Sequence, residues 1–308
     1  MNIVFMGTPE FSVPCLERLV ADGHTVKAVF TQPDRPKGRG HHMAYPPVKE
    51  TALKYSIPVY QPERLRKSDA CDIIKEIAPD LMIVVAYGQI LPQNILDIPK
   101  YGCVNIHASL LPKYRGAAPI QWAVLNGEKE SGVTSMQMDA GLDTGDMLIS
   151  AKTEIGENDT AGDLHDKLSL LGADVMSETI RKIEDGTIQR KKQDDSLSNY
   201  APMLSKELCP IDWNLSAREV HNKVRGLSPW PLATFELDGK VIKAHKTLLC
   251  SKAKGKAGEV IENSKRLVVC CGDGEAVEIV TLQPQGKKAM NAADYMRGNP
   301  VEKGVILK

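Results

Sequence analysis

The sequence predicts an α/β fold in two parts: a Rossmann-like, mostly parallel sheet, then a small all-β barrel of the OB-like type. Three observations predict it. The chain opens as strand–helix–strand: an apolar run at 2–6, helical apolar spacing at Val13, Leu16, Leu19 and Val20, and a second run at 25–30. Residues 81–86 are a continuous apolar, β-branched run, as in a strand buried on both faces of a parallel sheet. From 234 onward, five short alternating segments separated by glycine turns replace the helix-and-strand rhythm.

Gly7-Thr8-Pro9 ends the first strand. With Glu10 it is not the Gly-x-Gly-x-x-Gly dinucleotide fingerprint, so a nicotinamide cofactor is not expected. The loop at 32–47, about 16 residues, exceeds the 2–6 usual for a βα connection, and such loops are functional or disordered. In it Arg35, Lys37 and Arg39 alternate with proline and glycine, which suits phosphate contact as well as plain solvation. His41 and His42, adjacent in an extended chain, point opposite ways and are not read as a metal pair. Helices are expected at 48–55 and 69–78, with a short strand at 58–60 between them. A helix at 117–125 and a strand at 132–138 lead into the glycine-broken acidic loop 139–146. That loop lacks the final glutamate of an EF-hand, so calcium is not expected. A long helix fills 160–184, with Leu164, Leu168, Leu171 and Val175 on one face.

Residues 186–205 are polar and nearly without periodicity and read as a linker. The expected division is a first domain at 1–189, a linker at 190–205 and a second domain at 206–308. The second begins with a helix at 216–225, where Ser216 and Glu219 have capping-box spacing. Strands follow at 234–237, 240–244, 258–261, 267–271 and 276–282, the signature of a small Greek-key barrel. Lys240, Lys243, Lys246, Lys252, Lys254 and Lys256 have no acidic residue between them, a basic surface on a fold often used for nucleic acids. No aromatic ladder accompanies them, so phosphate contact is expected rather than base stacking.

Composition is that of an ordinary soluble globular protein, with a quarter of residues charged and zero net charge over 308 residues. The balance is uneven along the chain: residues 1–190 carry 20 Lys+Arg against 25 Asp+Glu, and 191–308 carry 19 against 14. A basic second part hints at a polyanionic partner. No apolar run approaches the roughly 20 residues of a membrane span, so no membrane role is expected. The first residues read as a strand rather than a signal peptide, which argues for the cytoplasm. Seven scattered cysteines without a Cys-x-x-Cys speak against disulfide frameworks and zinc sites. A monomer is expected, since no exposed apolar stripe is evident.

The stretch at 103–119 concentrates the chemistry. Val104 and Ile106 alternate with Asn105 and His107, so the amide and the imidazole are neighbours on one face of a strand. They precede a loop marked by Pro112 and Gly116. Open α/β sheets place ligands at the carboxyl ends of their strands. The pair is therefore a candidate for stabilising an oxyanion, or else a capped loop with a hydrogen-bonded core histidine.

Asn105-Ile-His107 with Ser109-Leu-Leu-Pro112, Arg115-Gly-Ala-Ala-Pro119 and Asp139-x-Gly-x-Asp143-Thr-Gly145 resembles the 10-formyltetrahydrofolate-dependent formyltransferases. The likeness to the family's tRNA-acting members covers essentially the whole chain. It includes Gly7-Thr-Pro-Glu-Phe11, Gln32-Pro-Asp-Arg-Pro36, Ile211-Asp-Trp213 and Pro229-Trp-Pro231. The resemblance implies a catalytic set of Asn105, His107 and Asp143, with 10-formyltetrahydrofolate as cosubstrate and no metal. The amino group of initiator methionyl-tRNA would attack the formyl carbon. Asn105 would donate to the oxyanion, His107 would exchange a proton near neutral pH, and Asp143 would orient the ring and favour its charged form.

Ser109, Leu110, Leu111 and Pro112 match the folate-contacting segment, and 86–91 and 138–140 would wall a flat pterin. The basic loop matches the family's insertion toward the tRNA acceptor end, so Arg35, Lys37, Arg39, Lys243 and Lys246 are the expected tRNA contacts. One departure is His41-His42, where relatives often carry two lysines. Neutral histidines attract phosphate less. The same three catalytic residues would also serve formyl transfer to a small amine, such as glycinamide ribonucleotide or an amino-sugar nucleotide, or hydrolysis of the formyl folate. A tRNA-binding protein without activity is the remaining alternative.

Overall fold

The computed structural model describes residues 1–37, 42–251 and 253–308. Of the residues singled out above, Arg39, His41 and Lys252 lie outside the described residues, as do the side chains of Lys37 and His42. The chain forms two compact units, neither a single run of sequence. The first is Met1–Gly116, Ser131–Thr153 and His165–Tyr200; the second is Ala117–Glu130, Glu154–Leu164 and Ala201–Lys308.

The first unit is built on seven strands: β1 Asn2–Gly7, β2 Thr25–Phe30, β3 Val59–Tyr60, β4 Leu81–Val85, β5 Cys103–His107, β6 Glu130–Gln137 and β7 Met147–Glu154. Their order is β7-β6-β5-β4-β1-β2-β3. The pairs β1/β2, β1/β4, β2/β3 and β4/β5 are parallel, and β5/β6 is antiparallel. All five residues of β4 are buried, as its unbroken apolar run requires. Val4, Met6, Phe30, Met82 and Val84 pack with Ile74 of the helix Ala70–Ile77. Burying a side chain of that size contributes about 1.5–3 kcal/mol.

Three features of this unit differ from the sequence reading. β7 was not expected, because Met147–Glu154 is half-exposed and mixes polar with apolar residues as an edge strand does. The loop at 32–47 contains a hairpin, Arg35–Lys37 paired antiparallel with His42–Ala44. Its base is fixed by Lys49, whose Nζ donates to Asp34 (2.7 Å) and Gln61 (2.8 Å) and sits 3.9 Å over the Tyr45 ring. Hydrogen bonds from Gln61 and Lys49 hold the Asp34 carboxyl below its ordinary pKa. Finally, the segment at 186–205 is bound into the structure. Lys191 pairs with Met147, and Asn199 O accepts from Arg115 N.

The second unit is an antiparallel half-barrel. Its strands are β8 Ala233–Leu237, β9 Lys240–Cys250, β10 Val260–Glu262, β11 Leu267–Cys270 and β12 Ala276–Pro284, in the order β8-β9-β12-β11-β10. The last residues bridge the two edges: Lys308 exchanges backbone hydrogen bonds with Glu236 of β8, and Val305 and Leu307 bond to Val260 and Gly258 at β10. Pairing leaves those edges covered. The helix Ala217–Gly226 starts at the expected capping box of Ser216 and Glu219. The helix Pro119–Leu125 also belongs here: Ala118, Trp122 and Leu125 pack into this unit's core, and Trp122 Nε1 donates to Pro202 O at 2.8 Å.

The segment Glu154–Leu164 is tied to the helix Ala217–Gly226 by buried polar groups. Arg225 donates to the carbonyls of Gly156 and Asp159 and to Asn222 Oδ1. His221 Nε2 donates to Glu157 O (3.0 Å), which leaves Nδ1 to accept from Thr247 Oγ1 (2.9 Å). Burial first, then the Arg225 and Arg218 charges, pushes the His221 pKa down, against the Glu157 contacts. The folded protein therefore keeps His221 neutral where the unfolded chain binds a proton. Its contribution is present above the unfolded value of about 6.5 and is lost as pH falls below it. Denaturation midpoints should drop between pH 7.5 and 5.5, and His221→Gln should flatten that drop. An equally steep drop in the variant would assign it to other groups. Among the described residues no helix is long and apolar enough to cross a membrane.

Candidate active site

Asn105 and His107 leave β5 on one face, at its carboxyl end. Asn105 lies between Val84 of β4 and Met136 of β6, and its side-chain amide makes no hydrogen bond to any described residue. It is partly exposed, so the amide is open to a ligand. His107 is buried, and its Nε2 donates to Tyr114 O at 2.9 Å. With that nitrogen committed as a donor, Nδ1 is the ring atom left to exchange a proton. It faces Asp143 Oδ2 at 3.7 Å. Among the described residues these three side chains are the expected set, and the fold brings His107 and Asp143 together across 36 positions of sequence.

Asp143 is held by a backbone donor. Its Oδ2 accepts the Gly116 N–H at 2.8 Å. Its φ is +53°, in the left-handed region, which costs an L residue about 1–2 kcal/mol. Upstream in that loop, Asp139 Oδ1 accepts from Gly141 N and Thr144 Oγ1. These acids turn the chain. Among the described residues no group of three or more His, Cys, Asp or Glu side chains could hold a metal ion.

The expected folate segment Ser109–Pro112 is pinned at the end of β5. Thr134 Oγ1, on β6, donates to Ser109 O (2.8 Å) and accepts from Leu111 N (3.2 Å). Ser109 Oγ donates to Lys113 O at 2.7 Å. These bonds hold the segment in one backbone path. All seven cysteines are free, and burial pushes the thiols of Cys15, Cys103 and Cys271 up to about 12, away from the reactive thiolate.

The expected tRNA contacts fall in both units. Arg35 is exposed on the hairpin of the first. Lys243 and Lys246 are exposed on β9 of the second. Residues three apart in a regular strand face opposite ways. Here the register shifts at His245, an unpaired extra residue between Ala244 and Lys246, so both lysines face outward while Ala244 and Thr247 are buried.

A sequence profile described as "Formyl transferase" matches residues 1–180, and one described as "Formyl transferase, C-terminal domain" matches 203–300. The chain belongs to the formyl transferase family. Curated relatives of this formyl transferase include the methionyl-tRNA formyltransferases of Geobacter metallireducens and Clostridium novyi. The first is 50% identical over 308 residues, covering 100% of this chain and 98% of the relative. The second is 52% identical over 311 residues, covering 100% of both. An N-formyltransferase from Helicobacter canadensis, solved in complex with folinic acid and dTDP-3-aminofucose, shares the fold at a TM-score of 0.69 and 22% identity, covering 92% of this chain and 99% of its own.

Several residues of this formyl transferase that build the site carry no signal in the sequence. Gln193 lies in the segment read as a linker, yet it is buried and donates to the carbonyls of Asp143 and Gly145. Asn199 Oδ1 accepts from Tyr114 N, beside the carbonyl that receives His107. Thr134 looks like any threonine in a strand. Only an isolated polar residue that proves buried marks such positions, and burial is not readable from one sequence.

Proposed function

We propose that the protein transfers the formyl group of 10-formyltetrahydrofolate to the methionyl amino group of initiator methionyl-tRNA, acting as a cytoplasmic monomer. The reading is carried by the end-to-end match, at about half identity, to relatives that bear the name of that activity. In the step, the amine lone pair attacks the formyl carbon and a C–N bond forms. The formyl oxygen takes up negative charge, and the Asn105 amide donates to it. The amine gives up a proton and the C–N10 bond breaks, with N10 receiving a proton. His107 Nδ1 exchanges these protons, and Asp143 at 3.7 Å stabilises the imidazolium while it lasts. Ser109, Leu110, Leu111 and Pro112 hold the folate. Arg35, Lys37 and Arg39, with Lys243 and Lys246 on β9, take tRNA phosphates.

The test compares initiator methionyl-tRNA with elongator methionyl-tRNA, glycinamide ribonucleotide and a dTDP-amino sugar as acceptors. Strong preference for the initiator is expected. Folate turnover without tRNA formylation would move the protein to the small-amine or hydrolase reading. Lys243→Ala with Lys246→Ala should weaken tRNA binding for all sequences alike. It should also reduce the log–log salt slope of binding by about 2, one per phosphate contact. An unchanged slope would remove both lysines from the interface.

A further inference from the structure

We propose that Gln193 is a positioning residue for formyl transfer: a buried amide that fixes the backbone of Asp143 and thereby sets the carboxylate beside His107. This rests on the role proposed for Asp143. Gln193 Nε2 donates to two carbonyls at once, Asp143 O and Gly145 O, each at 2.8 Å. Its Oε1 accepts two hydrogen bonds from one guanidinium, Arg115 Nε at 3.0 Å and Nη2 at 2.8 Å. Arginine has no acceptor, so the amide orientation follows from chemistry: the oxygen must face Arg115 and the NH2 must face the loop. Arg115 is itself anchored, by Nη2 to Asp195 Oδ1 (2.7 Å) and by its backbone N to Asn199 O (3.0 Å).

The chain of contacts ends on the reacting groups. Asp143 keeps a left-handed backbone. A residue in that conformation persists where its surroundings over-determine it. The Gln193 amide nitrogen bonds the carbonyls at both ends of the Asp143–Gly145 turn, while Gly116 N–H fixes Oδ2. Remove the donors and two carbonyls, one of them bonded by a buried nitrogen, lose their partner. The turn relaxes, and the carboxylate leaves its place 3.7 Å from Nδ1. Gln193 touches no substrate in this scheme; it acts through Asp143.

Gln193→Leu removes the donors and Gln193→Glu separates the two possible roles. Glutamate keeps a partner for Arg115, even strengthens it, but presents only acceptors to the two carbonyls. If Gln193 merely tethers Arg115, the glutamate variant turns over normally. If it positions Asp143, kcat falls about 10- to 100-fold in both variants, in line with a small misplacement of a reacting group. KM for the formyl folate and for methionyl-tRNA should stay within about twofold, because neither binding segment is touched. In an Asp143→Asn background the same change should cost little further rate, since the two residues act as one unit. Wild-type kcat in either variant, or a rise in both KM values with kcat unchanged, would overturn the proposal. Near-normal turnover of Asp143→Asn alone would overturn the reading of Asp143 and this inference with it. The Gln193→Glu variant retains the buried ion partner and answers the question if Gln193→Leu does not fold.

Discussion

Asn105→Ala should lower kcat for formyl transfer by about 10²–10³-fold, the usual cost of losing one oxyanion donor. The Asn105 side chain makes no hydrogen bond to any described residue and is partly exposed, so truncating it removes little from the folded state. Its strand is clamped by β4 on one side and β6 on the other, so the backbone position survives the change. The melting temperature should therefore move little, and KM for both substrates should stay near wild type, since the donor matters most once charge has developed on the formyl oxygen. Single-turnover formylation separates the chemical step from product release. A variant with unchanged single-turnover rate would mean that Asn105 does not face the oxyanion, and the carboxyl end of β5 would need another donor.

Gly145→Ala is expected to be nearly as damaging, by a different route. A Cβ on Gly145 would lie 1.7 Å from the Gln137 carbonyl oxygen, a backbone atom of β6 that has no side-chain freedom to give way. The turn must move by an ångström or more. Its carbonyl also receives Gln193, and Asp143 is two residues earlier. Overpacking of this kind costs about 1–3 kcal/mol of stability, and displacing a reacting group by that distance costs about 10²-fold in rate. Both losses should appear together, as a lowered unfolding midpoint and a reduced kcat. Full activity at a lowered midpoint would show that the carboxylate tolerates movement of its turn, which would weaken the positioning role given to Gln193 as well.

Much of the first unit was legible because its signals are local. The unbroken apolar run became β4, with every residue buried, and the alternation of Val104 and Ile106 with Asn105 and His107 became β5. In the second unit, Ser216 and Glu219 form the capping box that their spacing announced. Asn105 and His107 could be paired from sequence because a strand puts i and i+2 on one face. The aspartate entered only through family resemblance, since nothing local links Asp143 to a histidine so far away.

What remained hidden depends on packing between distant segments. β7 and the hairpin at 35–44 are short, polar or edge elements whose apolar signal is weak. The outward placement of both Lys243 and Lys246 needs a bulge, and a strand's parity alone predicts the opposite. The segment around Gln193 looked like a linker because its residues are polar; Gln193 alone among these polar residues is buried, its amide meeting two carbonyls and a guanidinium. The sequence by itself determined the kinds of element, the central strands and the pairing of Asn105 with His107 on one strand face, since those follow from residue type and period. The tertiary structure alone decided which nitrogen of His107 is free, how Asp143 is held beside it and what holds the turn. Those are distances between residues far apart in the chain, and no local pattern encodes them.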